Sequence, residues 1–308
     1  MTTPKAFGHP SLKQYDEHLC LRSVSTRTRT EYGRYLRKLA EHAGRDPAAL
    51  EEHEARAYLL YLKEVKRYAP GSMRIAAAAL RMFYNAMLTR NWRLFDLVRS
   101  PDRQKLPMVL TREQVAKLLG QLTEPRFRTL LTLIYGCGLR VGEAVKLEVR
   151  DIQTAQRRIH LRECKGGKDR LVPLPDSLLA MLRRFWKTHE HPRLIFPGVS
   201  NAWRERGTQG PRRTEAPMSV SSVQHTMRLA VAQARLPRGV TPHTLRHSYA
   251  THLLEEGVSL KQLASYMGHR SLDTTVIYTH LTVVSEERAL QAIEGLTRAV
   301  ARRSAPST

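Results

Sequence analysis

Residues 241–257 read TPHTLRHSYATHLLEEG, and the rest of the chain is interpreted outward from this stretch. His243 and His247 lie four residues apart, so a helix places both on one face at a spacing that metal ligands use. His243 and Arg246 lie three apart and also share a face, which suits the binding of a phosphate. Three interpretations are therefore open at this point: a metal site, a phosphate site and a purely structural helix.

The start of this helix favours the phosphate. Thr241 is a favourable N-cap and Pro242 fits the first turn. A helix N-terminus presents free N–H groups and a positive dipole end, so an anion is favoured there. A zinc-protease helix would carry glutamate in H-E-x-x-H, whereas Thr244 and Leu245 occupy the inner positions. We therefore interpret the helix as a phosphate-binding element and assign His247 to packing or indirect support.

The charge of the chain indicates a polyanionic partner. The 308 residues include 51 Lys and Arg against 28 Asp and Glu, a formal net charge of +23. An excess of this size favours nucleic acid first and an acidic membrane surface second. Hydrophobic residues make up 42% of the chain, which is enough to build a core and argues against a disordered polybasic chain.

Cysteine usage points to a reducing compartment, and hydropathy argues against a membrane span. Cys20, Cys137 and Cys164 are scattered without a CxxC pair, so we expect neither a disulfide framework nor a thiolate zinc site. The N-terminus lacks an apolar run of signal-peptide type, and no window approaches the ~18 apolar residues of a membrane span. We expect a soluble cytoplasmic protein with no membrane partner.

The length favours two domains, since a domain has roughly 100–200 residues. We predict a helical domain over residues 1–96, with helices in 25–44, 50–65 and 69–91. The first of these places Tyr35, Leu36 and Leu39 at helical spacing and stops at Gly44. Basic residues recur on these helices and make a DNA-facing side plausible.

Residues 97–110 form the predicted interdomain linker, because prolines break the periodicity there. The second domain, 111–308, begins with a capping box in which Thr111 is the N-cap and Gln114 its partner. The clear β region is a hairpin of residues 157–164 and 169–175, in which Gly166-Gly167 favours a two-residue turn. Residues 200–219 are polar and rich in Gly, Pro and Arg, so we predict a loop.

Three further segments place basic or nucleophilic groups at predicted helix ends or turns. Arg140 follows Gly138 and opens a helix, but the spacing GxGxxxG and the absence of a preceding strand argue against a dinucleotide site. Lys165 lies at the hairpin tip. Gly268 ends a helix that Ser259 and Gln262 begin with a capping box, and His269 follows; Ser271 is then predicted to cap a helix that carries Tyr278.

Several of these motifs, in the order in which they occur along the chain, resemble those of the tyrosine recombinase (phage integrase) family, especially its Xer-type bacterial members. They are GLR (138–140), KGGKDRLVPLP (165–175), HTLRHSYATHLLEEG (243–257), MGHRS (267–271) and TTVIYTH (274–280). The resemblance implies a mainly α fold. A helical, SAM-like core-binding domain precedes a mostly α catalytic domain that holds a small antiparallel β-hairpin.

The resemblance also implies a catalytic set of Arg140, Lys165, His243, Arg246, His269 and Tyr278. The two arginines would neutralise the nonbridging phosphate oxygens, and Tyr278 would attack phosphorus. Lys165 would protonate the leaving 5′ oxygen, His243 would act in acid–base transfer, and His269 would donate to a nonbridging oxygen.

The implied reaction is site-specific recombination of double-stranded DNA through a 3′-phosphotyrosyl intermediate and a Holliday junction. The phosphotyrosine retains the bond energy, so neither ATP nor a metal or other cofactor is expected. The resemblance implies a homotetramer on two DNA sites in the bacterial nucleoid. The apolar stripe Leu290, Ile293, Leu296 and Val300 would belong to a C-terminal helix that docks into a neighbouring protomer.

Two other functions remain alternatives: a noncatalytic DNA-binding regulator or architectural protein, and a type IB topoisomerase-like enzyme. Tyr249 and Tyr266 are rival nucleophiles, although Tyr266 has core spacing. We expect Glu143 and Asp151 to pair with nearby basic groups. Cys164 stands where Xer-type sequences usually carry glycine, and the arginine-rich 200–219 segment is equally consistent with a DNA or partner contact and with an ordinary loop.

Overall fold

A computed structural model describes residues 9–98, 106–164, 168–199, 213–268, 273–276 and 278. The chain divides into two compact units, residues 1–104 and 105–308. No helix in the described part of the chain is long and apolar enough to cross a membrane.

The first unit consists of helices around an apolar core that includes Leu36, Leu80 and Phe83. A π-helical turn, Met82–Met87, continues the fourth helix. Short 3-10 segments occupy Pro47–Ala49 and Arg93–Leu97. The α-helices of residues 9–98 are α1 (Pro10–Leu21), α2 (Thr26–Ala43), α3 (Glu52–Glu64) and α4 (Pro70–Arg81).

Helix α2 forms as its sequence predicts. The backbone N–H of Thr28 donates to Ser25 Oγ at 3.2 Å, which caps the N-terminus. Tyr35, Leu36 and Leu39 are buried on one stripe. The helix ends at Gly44, which adopts a φ of 66° in the left-handed region. The predicted helix and its glycine stop are confirmed.

The alanine-rich helix α4 packs closely, as its small side chains predict. Ala76, Ala77 and Ala79 are buried, and the Tyr15 hydroxyl of α1 donates to the Ala79 carbonyl at 2.7 Å. A backbone carbonyl can accept from a neighbouring helix at this distance because no large side chain holds the two helices apart.

The second unit combines helices with two small sheets. Its large core includes Leu130, Ile134, Val172 and Leu245. The helices are α5 (Arg112–Gly120), α6 (Pro125–Cys137), α7 (Val141–Ala144), α8 (Asp176–Trp186), α9 (Val220–Gln233), α10 (Pro242–Glu255), α11 (Leu260–Met267) and α12 (Asp273–Val276).

The predicted capping box at Thr111 is complete, whereas the one at Ser259 forms only its N-cap bond. The Thr111 N–H donates to Gln114 Oε1 at 3.0 Å, and the Gln114 N–H donates to Thr111 Oγ1 at 3.3 Å. At the start of α11, the Gln262 N–H donates to Ser259 Oγ at 3.3 Å. Both caps satisfy donors that a helix N-terminus would otherwise leave without partners, and the Ser259 hydroxyl donates to Gln262 Oε1 at 3.0 Å.

The predicted hairpin is confirmed and gains a strand. Strands β2 (Arg158–Cys164) and β3 (Lys168–Pro173) pair antiparallel, with Ile159 opposite Val172. Strand β1 (Ile152–Gln153) adds to the other edge of β2. Two residues are too few to show an alternating pattern, so sequence did not reveal β1. Residues 165–167, which hold the predicted turn, lie outside the described residues.

The prediction of a loop throughout residues 200–219 is wrong for its last part. Strand β5 (Arg213–Pro217) pairs antiparallel with β4 (Pro197–Val199). The glycine at 198 allows the pairing, since a Cβ there would lie 2.6 Å from Thr214 Oγ1. The Arg193 guanidinium also donates to the Glu215 carbonyl at 2.6 Å. A polar segment that contains proline lacks the apolar alternation by which a strand is predicted from sequence. Residues 200–212 lie outside the described residues.

Candidate active site

Helix α10 buries polar side chains along much of its length. It starts at Thr241, whose N–H donates to Thr244 Oγ1 at 3.0 Å. The Ser248 hydroxyl donates to the Thr244 carbonyl and accepts from the Leu110 N–H, both at 2.9 Å. Buried polar groups are costly unless they are hydrogen-bonded, so these bonds allow a polar helix to lie inside the unit. The buried polar residues are Thr244, Arg246, Ser248, Thr251 and His252.

Arg246 is held by backbone carbonyls at the ends of two other helices. Arg246 is 4% exposed, and its guanidinium donates to the carbonyls of Gly138 and, at 2.5 Å, Met267. Burial, together with the charge of Arg140, lowers the pKa of Arg246 to about 10, so it is a cation at neutral pH. These bonds use two of the five N–H groups of a guanidinium, which leaves donors for a phosphate.

Two glycines make this arrangement possible. Gly138 ends α6 with a φ of 61°, and a Cβ there would overlap the ring of Tyr249. Gly268 ends α11 with a φ of 62°, and a Cβ there would lie 2.9 Å from Arg170 Cδ. Both positions require left-handed backbone and leave no room for a side chain.

Arg140 is oriented by a carboxylate that a second arginine holds. The Arg140 side chain donates to Glu143 Oε1 at 2.8 Å and its backbone N–H to Oε2 at 2.7 Å. Arg170 donates to the same two oxygens at 2.8 and 2.7 Å, and its Nε donates to the Tyr266 carbonyl at 3.0 Å. Burial alone would raise the pKa of Glu143, but hydrogen bonds and charge from Arg170 and Arg140 lower it to about 2.

The predicted structural roles of the two acidic residues are confirmed. Glu143 pairs with Arg140 and Arg170, and Asp151 lies 3.4 Å from the Arg162 guanidinium. Sequence reasoning missed Arg170. A signal was present, because Arg170 and Val172 are two apart on β3 and are both buried, so a charge occupies an inward-facing strand position.

His243 lies in the first turn of α10 and is more exposed than Pro242, Thr244 and Leu245 beside it. Partial burial and the charges of Arg246 and Arg140 lower the pKa of His243, so it is neutral at neutral pH. Its ring centroid lies 6.4 Å from that of His247. The predicted sharing of one helix face by His243, Arg246 and His247 places all three beside one another.

Tyr278 is 2% exposed and packs with Tyr249, Leu263 and Met267. Its N–H donates to the Thr275 carbonyl at 3.0 Å. The helix predicted to carry Tyr278 ends before it: α12 stops at Val276, and Tyr278 lies in a turn. Burial raises the pKa of the phenol, while the charges of Arg246 and Arg140 partly oppose the rise. Those opposing charges place Tyr278 in the electrostatic neighbourhood of both arginines.

His247 contacts the phenol oxygen of Tyr278. Its Nδ1 lies 2.8 Å from the Tyr278 hydroxyl oxygen, and the two ring centroids are 5.7 Å apart. Sequence reasoning assigned His247 to packing or indirect support and did not connect it with Tyr278. The available signal was its position one turn after His243, on the same face.

The described residues thus bring Arg140, His243, Arg246 and Tyr278 together. Lys165 and His269 lie outside the described residues, as do Ser271 and the C-terminal stripe. Of the rival nucleophiles, Tyr249 is buried against Gly138, which raises the pKa of its phenol, and Tyr266 is partly buried. No group of three or more His, Cys, Asp or Glu suited to a metal occurs among the residues with described positions.

Comparison with known proteins identifies the family. The profile of the phage integrase family matches residues 108–284, and that of the phage integrase N-terminal SAM-like domain matches residues 12–94. The chain belongs to the phage integrase family. It is a tyrosine recombinase of the Xer-like type, an enzyme that cuts and rejoins DNA in site-specific recombination. The two alternative functions are not favoured.

Relatives match over nearly the full chain. An integrase/recombinase of Escherichia coli is 32% identical over 304 residues, covering 89% of this chain and 90% of the relative. Tyrosine recombinase XerA of Thermococcus onnurineus (strain NA1) is 32% identical over 293 residues, covering 92% and 96%.

Solved structures share the fold. XerH site-specific recombinase bound to palindromic difH substrate in a post-cleavage complex has a TM-score of 0.66 at 20% identity, covering 92% of this chain and 85% of that one. A lambda integrase dimer bound to a COC′ core site has a TM-score of 0.66 at 19% identity, covering 88% and 94%. The predicted fold class, a helical core-binding domain before a mostly α catalytic domain, is confirmed.

Proposed function

We propose that this recombinase cleaves DNA with Tyr278 while Arg140 and Arg246 bind the scissile phosphate. The observation that carries the proposal is the position of Arg246, a buried cation fixed to two backbone carbonyls in the neighbourhood of Arg140 and Tyr278. A phosphodiester repels nucleophiles through its negative charge. Two arginines fixed in place would neutralise that charge and stabilise the pentavalent transition state.

The other roles follow the family resemblance. Lys165 protonates the departing 5′ oxygen and His269 donates to a nonbridging oxygen. His243 lies where the free N–H groups and dipole of the α10 N-terminus add to the attraction for phosphate, and it takes part in acid–base transfer. The product of the first step is a 3′-phosphotyrosyl enzyme and a free 5′-hydroxyl, which a second strand replaces without ATP, metal or other cofactor.

The helical unit supplies cations for the DNA backbone. Among the basic residues of residues 9–98, several pair with acidic neighbours, as Arg29 does with Asp16 at 2.7 Å. Other exposed arginines of this range form no ion pair with any residue that the structure describes, and the candidate phosphate contacts among them include Arg27, Arg37, Arg67 and Arg74. Such contacts would bind DNA without reading its sequence.

The domain roles and the assembly complete the proposal. Residues 1–96 form the core-binding domain, 97–110 the linker and 111–308 the catalytic domain with a C-terminal docking helix. Four protomers hold two double-stranded DNA sites and exchange strands through a Holliday junction, in the cytoplasm at the nucleoid. The XerH and lambda integrase structures of this fold are DNA complexes, which supports the DNA partner.

Covalent capture tests the nucleophile and finds the site together. Lightly nicked genomic DNA from the source organism is incubated with the protein and chelator, and fragments that resist detergent stripping are sequenced. A nick beside the cleavage position lets the freed short strand diffuse away, which traps the covalent intermediate. Wild type is expected to retain fragments that share one short inverted repeat, and Tyr278→Phe to bind DNA but retain none. Retention by Tyr278→Phe, or DNA binding by wild type without retention, would contradict the proposal.

A further inference from the structure

The strongest unassigned feature of the second unit is the hydrogen bond at the Tyr278 phenol. The oxygen that would attack phosphorus lies 2.8 Å from His247 Nδ1, with the two rings tilted by 44°. A base must lie within about 2.6–3.2 Å of the group whose proton it takes, and this distance falls inside that range. We propose that His247 is the base that removes the phenol proton when Tyr278 attacks the phosphate, an inference that rests on the proposed role of Tyr278.

The relative acidity of the two bonded groups supports this role. A phenol is a far stronger acid than the N–H of a neutral imidazole, so the phenol donates and Nδ1 accepts. The ring proton then resides on Nε2. In this arrangement the lone pair that receives the proton already points at the atom that loses it.

The His247 ring is unprotonated before DNA binds. Burial, with the neighbouring His243 ring and the charge of Arg246, lowers the pKa of His247 to about 4, so the ring is neutral at neutral pH, and the negative charge of a bound phosphate must raise that pKa for the ring to hold the proton. A neutral imidazole has one ring nitrogen with a lone pair that can accept a proton, whereas an imidazolium has none. Burial raises the pKa of the Tyr278 phenol, so the phenol keeps its proton until attack begins and needs a base at that moment.

The positions of His243 and His247 suit the two histidines to different roles. His243 is an exposed residue in the first turn of α10, beside the N–H groups that would bind phosphate, while His247 lies one turn later, is partly buried and touches the nucleophile. This placement leaves His243 for the phosphate and the leaving group.

The proton balance closes over a full cycle. During cleavage the phenol O–H bond breaks and the proton moves to His247 Nδ1, a bond forms between Tyr278 Oη and phosphorus, and the bond from phosphorus to the 5′ oxygen breaks. Lys165 protonates that oxygen in the proposed mechanism. During rejoining the incoming 5′-hydroxyl returns a proton to Lys165, and the His247 imidazolium returns its proton to the departing Tyr278.

Single-turnover cleavage of two substrates tests the inference. Both are the nicked duplex recovered by covalent capture; one carries the natural 5′ oxygen and the other a bridging 5′ sulfur. A thiolate leaves without protonation, so the sulfur substrate removes the need for an acid on the leaving group but not for a base on the phenol. The variants are His247→Asn, His247→Ala and Lys165→Ala. Asparagine places a hydrogen-bonding atom near the Nδ1 position but has no basicity.

The control for loss of a buried histidine is His252→Asn. His252 lies on the same helix, is buried, and bonds another tyrosine hydroxyl, that of Tyr135, at 2.9 Å from Nδ1. The two asparagine variants therefore replace the histidine in equivalent tyrosine–histidine bonds. If His247→Ala fails to fold, His247→Asn compared with His252→Asn still gives the answer.

We expect both His247 variants to cleave about 10²-fold or more slowly on both substrates, with DNA binding retained. We expect His252→Asn to cleave at nearly the wild-type rate and sulfur to restore Lys165→Ala. Near-wild-type cleavage by His247→Asn would show a positioning contact and overturn the inference. Restoration of the His247 variants by sulfur would place His247 at the leaving group and also overturn it. Covalent linkage by Tyr278→Phe would instead overturn the proposed function.

Discussion

Helices α2 and α10 are built on opposite principles. In α2 the buried residues are Tyr35, Leu36, Leu39 and Ala40, so burial follows the apolar pattern. Helix α10, in contrast, buries the Arg246 guanidinium and several hydroxyl groups. Two of its histidines also bond tyrosine hydroxyls, those of Tyr135 and Tyr278. The hydrophobic effect stabilises α2, whereas burial of an arginine costs free energy that hydrogen bonds must offset. The difference fits the proposed role of α10 in binding phosphate, whereas α2 serves packing.

Replacement of the buried Arg246 in α10 should show the largest difference between the two helices. Arg246→Lys removes the paired donation to the Gly138 and Met267 carbonyls, because an ammonium lacks the planar fork. We expect single-turnover cleavage to fall by about 10²–10³-fold. Arg29→Lys in α2, where the arginine pairs with Asp16 at the surface, is the matched control and should cleave within a few-fold of wild type. Similar losses in both would contradict the distinction.

A change of pH should separate buried from exposed carboxylates. The folded pKa of Glu143, about 2, lies below its ordinary value of 4.5. Its contribution is therefore present above pH 4.5 and is lost as pH falls from 4.5 toward 2. Over that window wild type should lose on the order of 3 kcal/mol more than Glu143→Gln.

Urea unfolding at pH 3 and pH 7 measures the part of this loss that falls above pH 3, on the order of 2 kcal/mol. Glu31→Gln in α2, which removes an exposed pair with Arg34, is the control and should keep the wild-type pH dependence. An unchanged pH dependence in Glu143→Gln would show that the carboxylate is not held by the two arginines.

Two helix-ending glycines allow a matched test of stability. Gly44 after α2 has a φ of 66°, and a methyl group added to it would have no atom within 4 Å, whereas Gly138 has a φ of 61° with the Tyr249 ring in that space. Alanine at 44 should cost about 1 kcal/mol of unfolding free energy for left-handed backbone alone. Alanine at 138 should cost about 2–4 kcal/mol, because the ring must also move. Equal costs by urea unfolding would show that the ring yields freely.

The smallest effect is expected at the surface of α2. Arg29→Ala should leave the free energy of unfolding nearly unchanged, since exposed ion pairs contribute little and are screened by salt. Thermal unfolding at low and high salt checks this. A large loss of stability would show that the outer face of α2 is more than a solvated surface.

The same contrast explains what sequence could predict. Helix α2 and the β2–β3 hairpin follow apolar spacing and glycine signals, so both were predicted. The strand Arg213–Pro217 was missed because its pairing depends on Gly198 and not on a hydrophobic pattern. Within the site, Arg140, His243, Arg246 and Tyr278 were predicted through motif order. Arg170 and the role of His247 depend on contacts between distant segments, which no local pattern encodes.

Mapping the covalent attachment tests the central claim most directly. After capture on nicked DNA, nuclease and trypsin digestion leave a nucleotide on one tyrosine, which mass spectrometry assigns to a peptide. Tyr278 falls in residues 271–288, Tyr249 in 247–261 and Tyr266 in 262–270, so the three candidates give separate peptides. The account predicts the nucleotide on the 271–288 peptide. Attachment to either of the other peptides would contradict it.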